Sequence, residues 1–203
     1  MTELTDTERV ELTRTAHKRL NVGCGVYPLN FFINLDADPN VPAQIHELVP
    51  PIPFEDNSLE YVWACHFLEH LPKPLADEFM AEAFRVLEPG GRLGIVVPDT
   101  REIMTRWLEG SIDAVEYPCH EWHNVNDLDE ICHLFLYSDA QDSQHQWSYD
   151  KATLARMFDR AGFVQLEEID RYRHELIAQG AWYQVGIVGR KPFGEAEVID
   201  GDV

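Results

Sequence analysis

Short apolar runs, each stopped by glycine, proline or an acidic residue, mark out the chain. Residues 20–22 stop at Gly23-Cys24-Gly25, and residues 31–35 stop at Asp36. Such runs are typical of strands buried on both faces of a parallel sheet. Further strands are predicted by the same pattern at 43–48, 59–64, 92–97, 164–170 and 181–190.

Apolar positions at helical spacing predict helices between these strands. Thr5 to Glu8 fits a capping box and predicts a helix to about His17. Residues 74–87 place five apolar side chains on one face, namely Leu75, Phe79, Ala83, Phe84 and Leu87, and Pro89-Gly90-Gly91 is expected to end that helix. Three further helices are predicted at residues 101–110, 126–137 and about 150–161. In the last of these, Leu154, Met157 and Phe158 face the core, and Gly162 is expected to cap the helix.

The segment 26–30 between the first two strands is unusually short. A parallel crossover normally takes a dozen or more residues. Either its helix is reduced to a single turn, or the two strands are not neighbours in the usual way.

Ligands of open α/β sheets bind at the carboxyl ends of the strands. This rule selects Gly23 to Gly25, Asp36, His46 to Leu48, Ala64 to His66 and Pro98-Asp99. Glycines after a strand let a ligand approach the backbone, and an acid after the next strand can accept hydrogen bonds from ribose hydroxyls. A dinucleotide site is disfavoured, because Pro28 stands where a third small residue is required and Asp36 follows the glycines too soon.

Two longer segments carry a family resemblance. IPFEDNSLEYVWACHFLEHL, from residue 52, and EAFRVLEPGGRLGIVVPD, ending at residue 99, resemble the class I S-adenosylmethionine-dependent methyltransferases of the type 11 kind. With the glycine turn and the C-terminal elements, the resemblance covers about residues 17–192. It implies an α/β, Rossmann-like, doubly wound and mostly parallel sheet with an antiparallel last strand, here with a shortened first crossover.

The resemblance also implies roles for individual residues. Gly23, Cys24 and Gly25 would pass under the methionine part of S-adenosylmethionine, and Asp36 would hold its ribose hydroxyls. Glu47 and Leu48 would meet the adenine, the first near its amine and the second on the ring. Ala64 and Cys65 would line the methionine side.

Two groups of residues raise the question of a metal. His66, Glu69 and His70 match the inverted zinc-peptidase pattern H-x-x-E-H, but Pro72 and Pro74 cut short any helix that would present them. The segment 118–133 holds Cys119, His120, Glu121, His123, Cys132 and His133 at spacings that match no standard zinc pattern. We therefore expect no metal.

The predicted function is methyl transfer from S-adenosylmethionine to a small acceptor, O- or N-methylation, by in-line displacement. A hydroxyl or ammonium acceptor needs a base, for which histidine is suited. Four histidines are candidates: His66, His120, His123 and His145. The alternatives are an aminopropyl transferase on the same fold and a non-catalytic nucleoside-binding protein.

The composition limits the partners and the cellular compartment that we expect for this protein. The net charge of −20 disfavours nucleic acid and acidic membranes as partners. Four dispersed cysteines, a polar N-terminus without a signal-peptide core and no run of about 20 apolar residues predict a cytoplasmic protein. We expect one domain over 1–193, a lid or substrate insertion at about 111–146 after the fifth predicted strand, and a flexible tail at 194–203. The oligomeric state is left open.

Overall fold

The structure is a computed structural model that describes residues 18–111, 144–170, 174, 176 and 182–194. Its strands are β1 (Arg19–Val22), β2 (Ile33–Asp36), β3 (Ile45–His46), β4 (Leu59–Cys65), β5 (Leu87–Pro98), β6 (Val164–Glu168) and β7 (Gln184–Arg190). Its helices are α1 (Lys73–Val86), α2 (Thr100–Glu109) and α3 (Lys151–Ala161), with a 3-10 turn at Leu68–His70.

The strands form one sheet in the order β3-β2-β1-β4-β5-β7-β6. The pairs from β3 to β5 are parallel, whereas β7 runs antiparallel between β5 and β6. The predicted Rossmann-like sheet with an antiparallel last strand is therefore confirmed.

The main core lies on the face of the sheet covered by α1 and α3. Alternation along β4 sends Val62 and Ala64 into this core and Tyr61 and Trp63 into a smaller aromatic cluster on the opposite face. The predicted core residues of α3 are buried, and Gly162 caps that helix with a left-handed φ of 94°. Two residues of the predicted α1 face are wrong, because Leu75 is 40% exposed and Leu87 lies in β5. Ala76, Met80 and Val86 are buried in the helix instead.

The first crossover contains no helix, yet β1 and β2 are parallel neighbours in the register Leu20↔Ile33. Of the two alternatives, the second is thus wrong. The buried amide of Asn34 takes over part of the connection: its Oδ1 accepts the Leu29 N–H at 2.8 Å and its Nδ2 donates to the Leu29 carbonyl at 3.1 Å.

The boundary after α1 also differs from the prediction. The helix ends at Val86, and β5 begins at once and runs through Pro89-Gly90-Gly91. Leu87 has extended backbone angles, and the irregular pairing of β4 with β5 between Leu59 and Tyr61 accommodates the proline and glycines.

Some predictions fall outside the described residues. They are the N-terminal helix, the helix at 126–137, and most of the insertion at 111–146 and of the tail. Among the described helices, none combines the length and apolar character that crossing a bilayer requires.

Candidate active site

The carboxyl ends of β1, β2, β3 and β4 meet at one edge of the sheet, as their parallel pairing requires. The backbone after β1 turns across this edge, with the N–H groups of Gly23 and Cys24 donating to the Leu35 carbonyl at 2.8 and 3.2 Å. The predicted glycine turn and Asp36 are therefore brought together, although they come from different strands.

Asp36 is fixed by the backbone around it. Its Oδ2 accepts the N–H of Gly25 at 2.8 Å, and its Oδ1 accepts the N–H of Asp38 at 3.0 Å. Each carboxylate oxygen retains a second lone pair, so the group can still accept hydrogen bonds from a diol. The carboxylate is half-buried and oriented before any ligand arrives.

The two glycines of the turn have different surroundings. Both have left-handed φ angles, 66° at Gly23 and 51° at Gly25. A Cβ on Gly23 would lie 2.5 Å from Cδ2 of Phe67, whereas a Cβ on Gly25 would meet nothing within 4 Å. Gly23 is therefore required by packing against Phe67, and Gly25 is the glycine that borders open space.

The other residues predicted to bind the cofactor lie in contrasting environments. Leu48, two residues beyond β3, is 82% exposed, and Glu47 beside it is partly buried. Ala64 is fully buried in the main core, whereas Cys65 lies with the aromatic cluster on the opposite face. The strand-end rule did not indicate which of these side chains alternate away from the edge.

Neither described thiol ionises at neutral pH. Burial and the nearby Asp36 raise the pKa of Cys24 to about 11. Burial and Glu69 raise the pKa of Cys65 to about 12. Both are free cysteines and act as small apolar groups in the site.

His66 follows β4 and has a left-handed φ of 53°. Its Nε2 lies 2.6 Å from Nε2 of Gln184, and its Nδ1 lies 3.1 Å from Oε1 of Glu69. An amide nitrogen can only donate, so in this arrangement His66 accepts at Nε2 and donates from Nδ1 to the carboxylate. Both ring nitrogens are thus engaged by protein partners, and His66 must release Gln184 before it can take a proton.

Glu69 is the residue that sequence reasoning undervalued. It is 1% exposed, and its neighbours include three histidines. Burial pushes the pKa of Glu69 upwards, but the hydrogen bond from His66 and the charges of His66, His70 and His145 together hold it below its usual range. The signal that could have found it is an acid inside the H-x-x-E-H pattern, directly after a buried strand.

Of the remaining predicted catalytic histidines, His145 lies next to His70, with ring centroids 4.9 Å apart. His145 lines a small pocket together with Glu69, Pro98, Thr100, Trp147, Ser148 and Tyr149. His120 and His123 lie outside the described residues.

Comparison with known proteins agrees with this geometry. Residues 31–95 match the family described as "Methyltransferase domain". The chain is also 35% identical over 83 residues to the chloroplastic tocopherol O-methyltransferase of Arabidopsis thaliana. That match covers 41% of this chain and 20% of the relative, so the chain spans about a fifth of the length of the relative it matches.

Solved structures share the fold at low sequence identity. A methyltransferase from Methanosarcina mazei superposes with a TM-score of 0.53 at 14% identity, covering 95% of this chain and 100% of that one. Phosphoethanolamine N-methyltransferase 2 of Haemonchus contortus, in complex with S-adenosyl-L-methionine, gives 0.50 at 13% identity, covering 86% and 48%. The family match covers residues 31–95, about a third of the chain, and the solved structures share its α/β sheet architecture.

Proposed function

We propose that the protein transfers the methyl group of S-adenosylmethionine to a small-molecule acceptor at oxygen or nitrogen. The observation that carries the proposal is the 2.8 Å hydrogen bond from the Gly25 N–H to Asp36. It joins the glycine turn after β1 to the acid that ends β2, the two parts from which a nucleoside site would be built, and it orients the carboxylate for ribose hydroxyls.

The reaction needs little covalent chemistry from the protein. The acceptor lone pair forms a bond to the methyl carbon as the bond from that carbon to the sulfonium breaks, and S-adenosylhomocysteine leaves. Alignment of the two reactants supplies much of the rate. The acceptor proton passes to a base, for which His66 and His145 are the candidates among the described residues.

A small acceptor is supported by two observations. The matched relative from Arabidopsis thaliana is named as an O-methyltransferase of tocopherol, a small molecule. The net charge of −20 opposes association with a phosphate backbone.

The direct test is calorimetric titration with S-adenosylhomocysteine, followed by mass spectrometry of products formed from S-adenosylmethionine and a panel of phenols and amines. We expect binding at one site per chain and methylated product from at least one class. Failure to bind either nucleoside would overturn the proposal. Binding with no product across the panel would favour a non-catalytic nucleoside-binding protein. Methylthioadenosine formed from the decarboxylated cofactor would indicate an aminopropyl transferase.

The Asp36→Ala variant tests the observation on which the proposal rests. Loss of hydrogen bonds to a charged carboxylate should weaken S-adenosylhomocysteine binding by about 1.5 to 3 kcal/mol. The matched control is Asp159→Ala, which removes an exposed carboxylate from α3 and should leave affinity unchanged. Equal affinities for all three folded proteins would remove Asp36 from the site.

A further inference from the structure

We propose that Glu69, His70 and His145 bind a divalent transition-metal ion of the zinc type. One ligand atom from each of these residues lies within 4.8 Å of the others. The proposal concerns metal binding by the chain itself and does not depend on methyl transfer.

The backbone builds this cluster from two distant parts of the sequence. Glu69 and His70 belong to the 3-10 turn directly after β4. The Glu69 carbonyl accepts the N–H groups of Gln146 and Trp147 at 2.7 and 3.2 Å, which fixes the residues next to His145. The Tyr149 carbonyl in turn accepts the N–H of Thr100 at 2.8 Å. His145 is therefore delivered to the cluster by main-chain hydrogen bonds.

Buried polar atoms without a hydrogen-bond partner also support a metal site at Glu69 and His70. Oε1 of Glu69 is hydrogen-bonded to His66, but its Oε2 has no partner. Nδ1 of His70 is likewise buried without a partner. Among the described residues these are the two buried side-chain polar atoms in that condition, and both belong to residues of the cluster. Leaving such atoms unsatisfied is costly, and a shared cation would satisfy both.

The donor set suits a borderline-soft metal. Two imidazole nitrogens and one carboxylate oxygen form a common three-ligand set for catalytic zinc and for non-haem iron, with further positions left for water or substrate. The hydrogen bond from His66 to the other oxygen of Glu69 provides the outer support that such ligands usually have. Ligands of tetrahedral zinc lie about 3.3 Å apart, so the cluster closes on an ion by side-chain movements of about an ångström.

This site differs from the one that the H-x-x-E-H pattern would give. The pattern pairs two histidines on a helix, but residues 68–70 form only a 3-10 turn, and His66 is directed to Gln184. His145 replaces it as the second imidazole. Our expectation of no metal rested on the local sequence, which does not contain the third ligand.

The experiment uses the full chain freed of metal with a chelator and then titrated with zinc chloride by calorimetry. Wild type should bind one zinc ion, and His70→Ala and His145→Ala should each weaken binding at least tenfold. His46→Ala, which removes an imidazole outside the cluster, should bind as wild type does. Circular dichroism shows whether each variant is folded, and His145→Ala, at a half-buried position, keeps the test available if His70→Ala does not fold.

Thermal unfolding gives a second readout without any assay of activity. Zinc should raise the melting temperature of wild type and His46→Ala but not that of His145→Ala, because only proteins with an intact site bind the ion in the folded state. The proposal is overturned if metal-free wild type binds no zinc, or if His70→Ala and His145→Ala bind zinc as tightly as wild type. The second result would place the ion elsewhere in the chain.

Discussion

Asn21 and Asn34 lie opposite each other in the β1–β2 pair, and the Nδ2 of Asn21 donates to the Oδ1 of Asn34 at 2.9 Å. Both side chains are almost fully buried. The same Asn34 amide bonds both backbone groups of Leu29 in the crossover. A polar pair inside the sheet thus holds in place a parallel connection that contains no helix.

Replacing Asn34 by alanine should destabilise the fold by about 3 kcal/mol, because several buried polar groups lose their partner at once. Urea unfolding followed by circular dichroism measures the change. Asn40→Ala removes an exposed amide from the nearby loop and should alter stability by less than about 0.5 kcal/mol. Similar losses in the two variants would mean that Asn34 does not support the crossover.

Gly23→Ala should cost more stability than Gly25→Ala. Both alanines would occupy a left-handed conformation at about 1 kcal/mol, but only the one at position 23 would also collide with Phe67. We expect a further penalty of at least about 1 kcal/mol at position 23. In a Phe67→Ala background this extra penalty should disappear, as a double-mutant cycle by urea unfolding would reveal. An unchanged penalty would contradict the steric explanation.

Arg85, in the segment EAFRVLEPGG, holds the loop before β4 against α1. Its guanidinium donates to the carbonyls of Ile52 and Phe54 at 2.9 and 2.8 Å and to the carboxylate of Glu82. It thereby fastens the proline-rich loop before β4 to α1. Arg85→Lys should lose about 2 kcal/mol of stability, because an ammonium cannot reproduce the fork of donors.

The exposed Arg160→Lys is the matched control for Arg85→Lys and should be near neutral in thermal and urea unfolding. If the Arg85→Lys protein proves as stable as wild type, the forked set of guanidinium donors is not what holds the loop.

Asp150 should contribute a pH-dependent part of the stability. Its side chain caps α3 by accepting the Thr153 N–H at 2.7 Å, and the hydrogen bonds with Thr153, aided by Arg101, lower its pKa to about 2. A lowered folded-state pKa stabilises the protein above the unfolded value of about 3.9, and the contribution is lost as pH falls towards 2.

The free energy of unfolding of wild type should therefore exceed that of Asp150→Asn at pH 6, and the difference should shrink between about pH 4 and pH 2. Asparagine can still cap the helix, so this variant isolates the effect of the charge. Asp159→Asn, on the same helix, controls for the loss of one carboxylate. Identical pH profiles for the two variants would refute the capping charge as the cause.

The sequence by itself determined the α/β sheet and the strand ends at which the glycine turn and the acid lie. Buried strands bounded by glycine and acid are local patterns. The short segment 26–30 left open whether the first two strands are neighbours, so the structure was needed to show that Gly23 to Gly25 lie beside Asp36. The capping of α3 by Gly162 and its buried face were likewise predicted, since both depend on residues close in the chain.

Only the tertiary structure decided which side chains face the site and which groups share a cluster. Ala64 and Cys65 are adjacent in sequence, yet the pleat sends them to opposite faces. The partner of Gly23 is Phe67, the partner of His66 is Gln184, and the third member of the Glu69–His70 cluster is His145. These contacts join residues far apart along the chain, and no local propensity encodes them, because they exist only after β1, β4, β5 and β7 have paired.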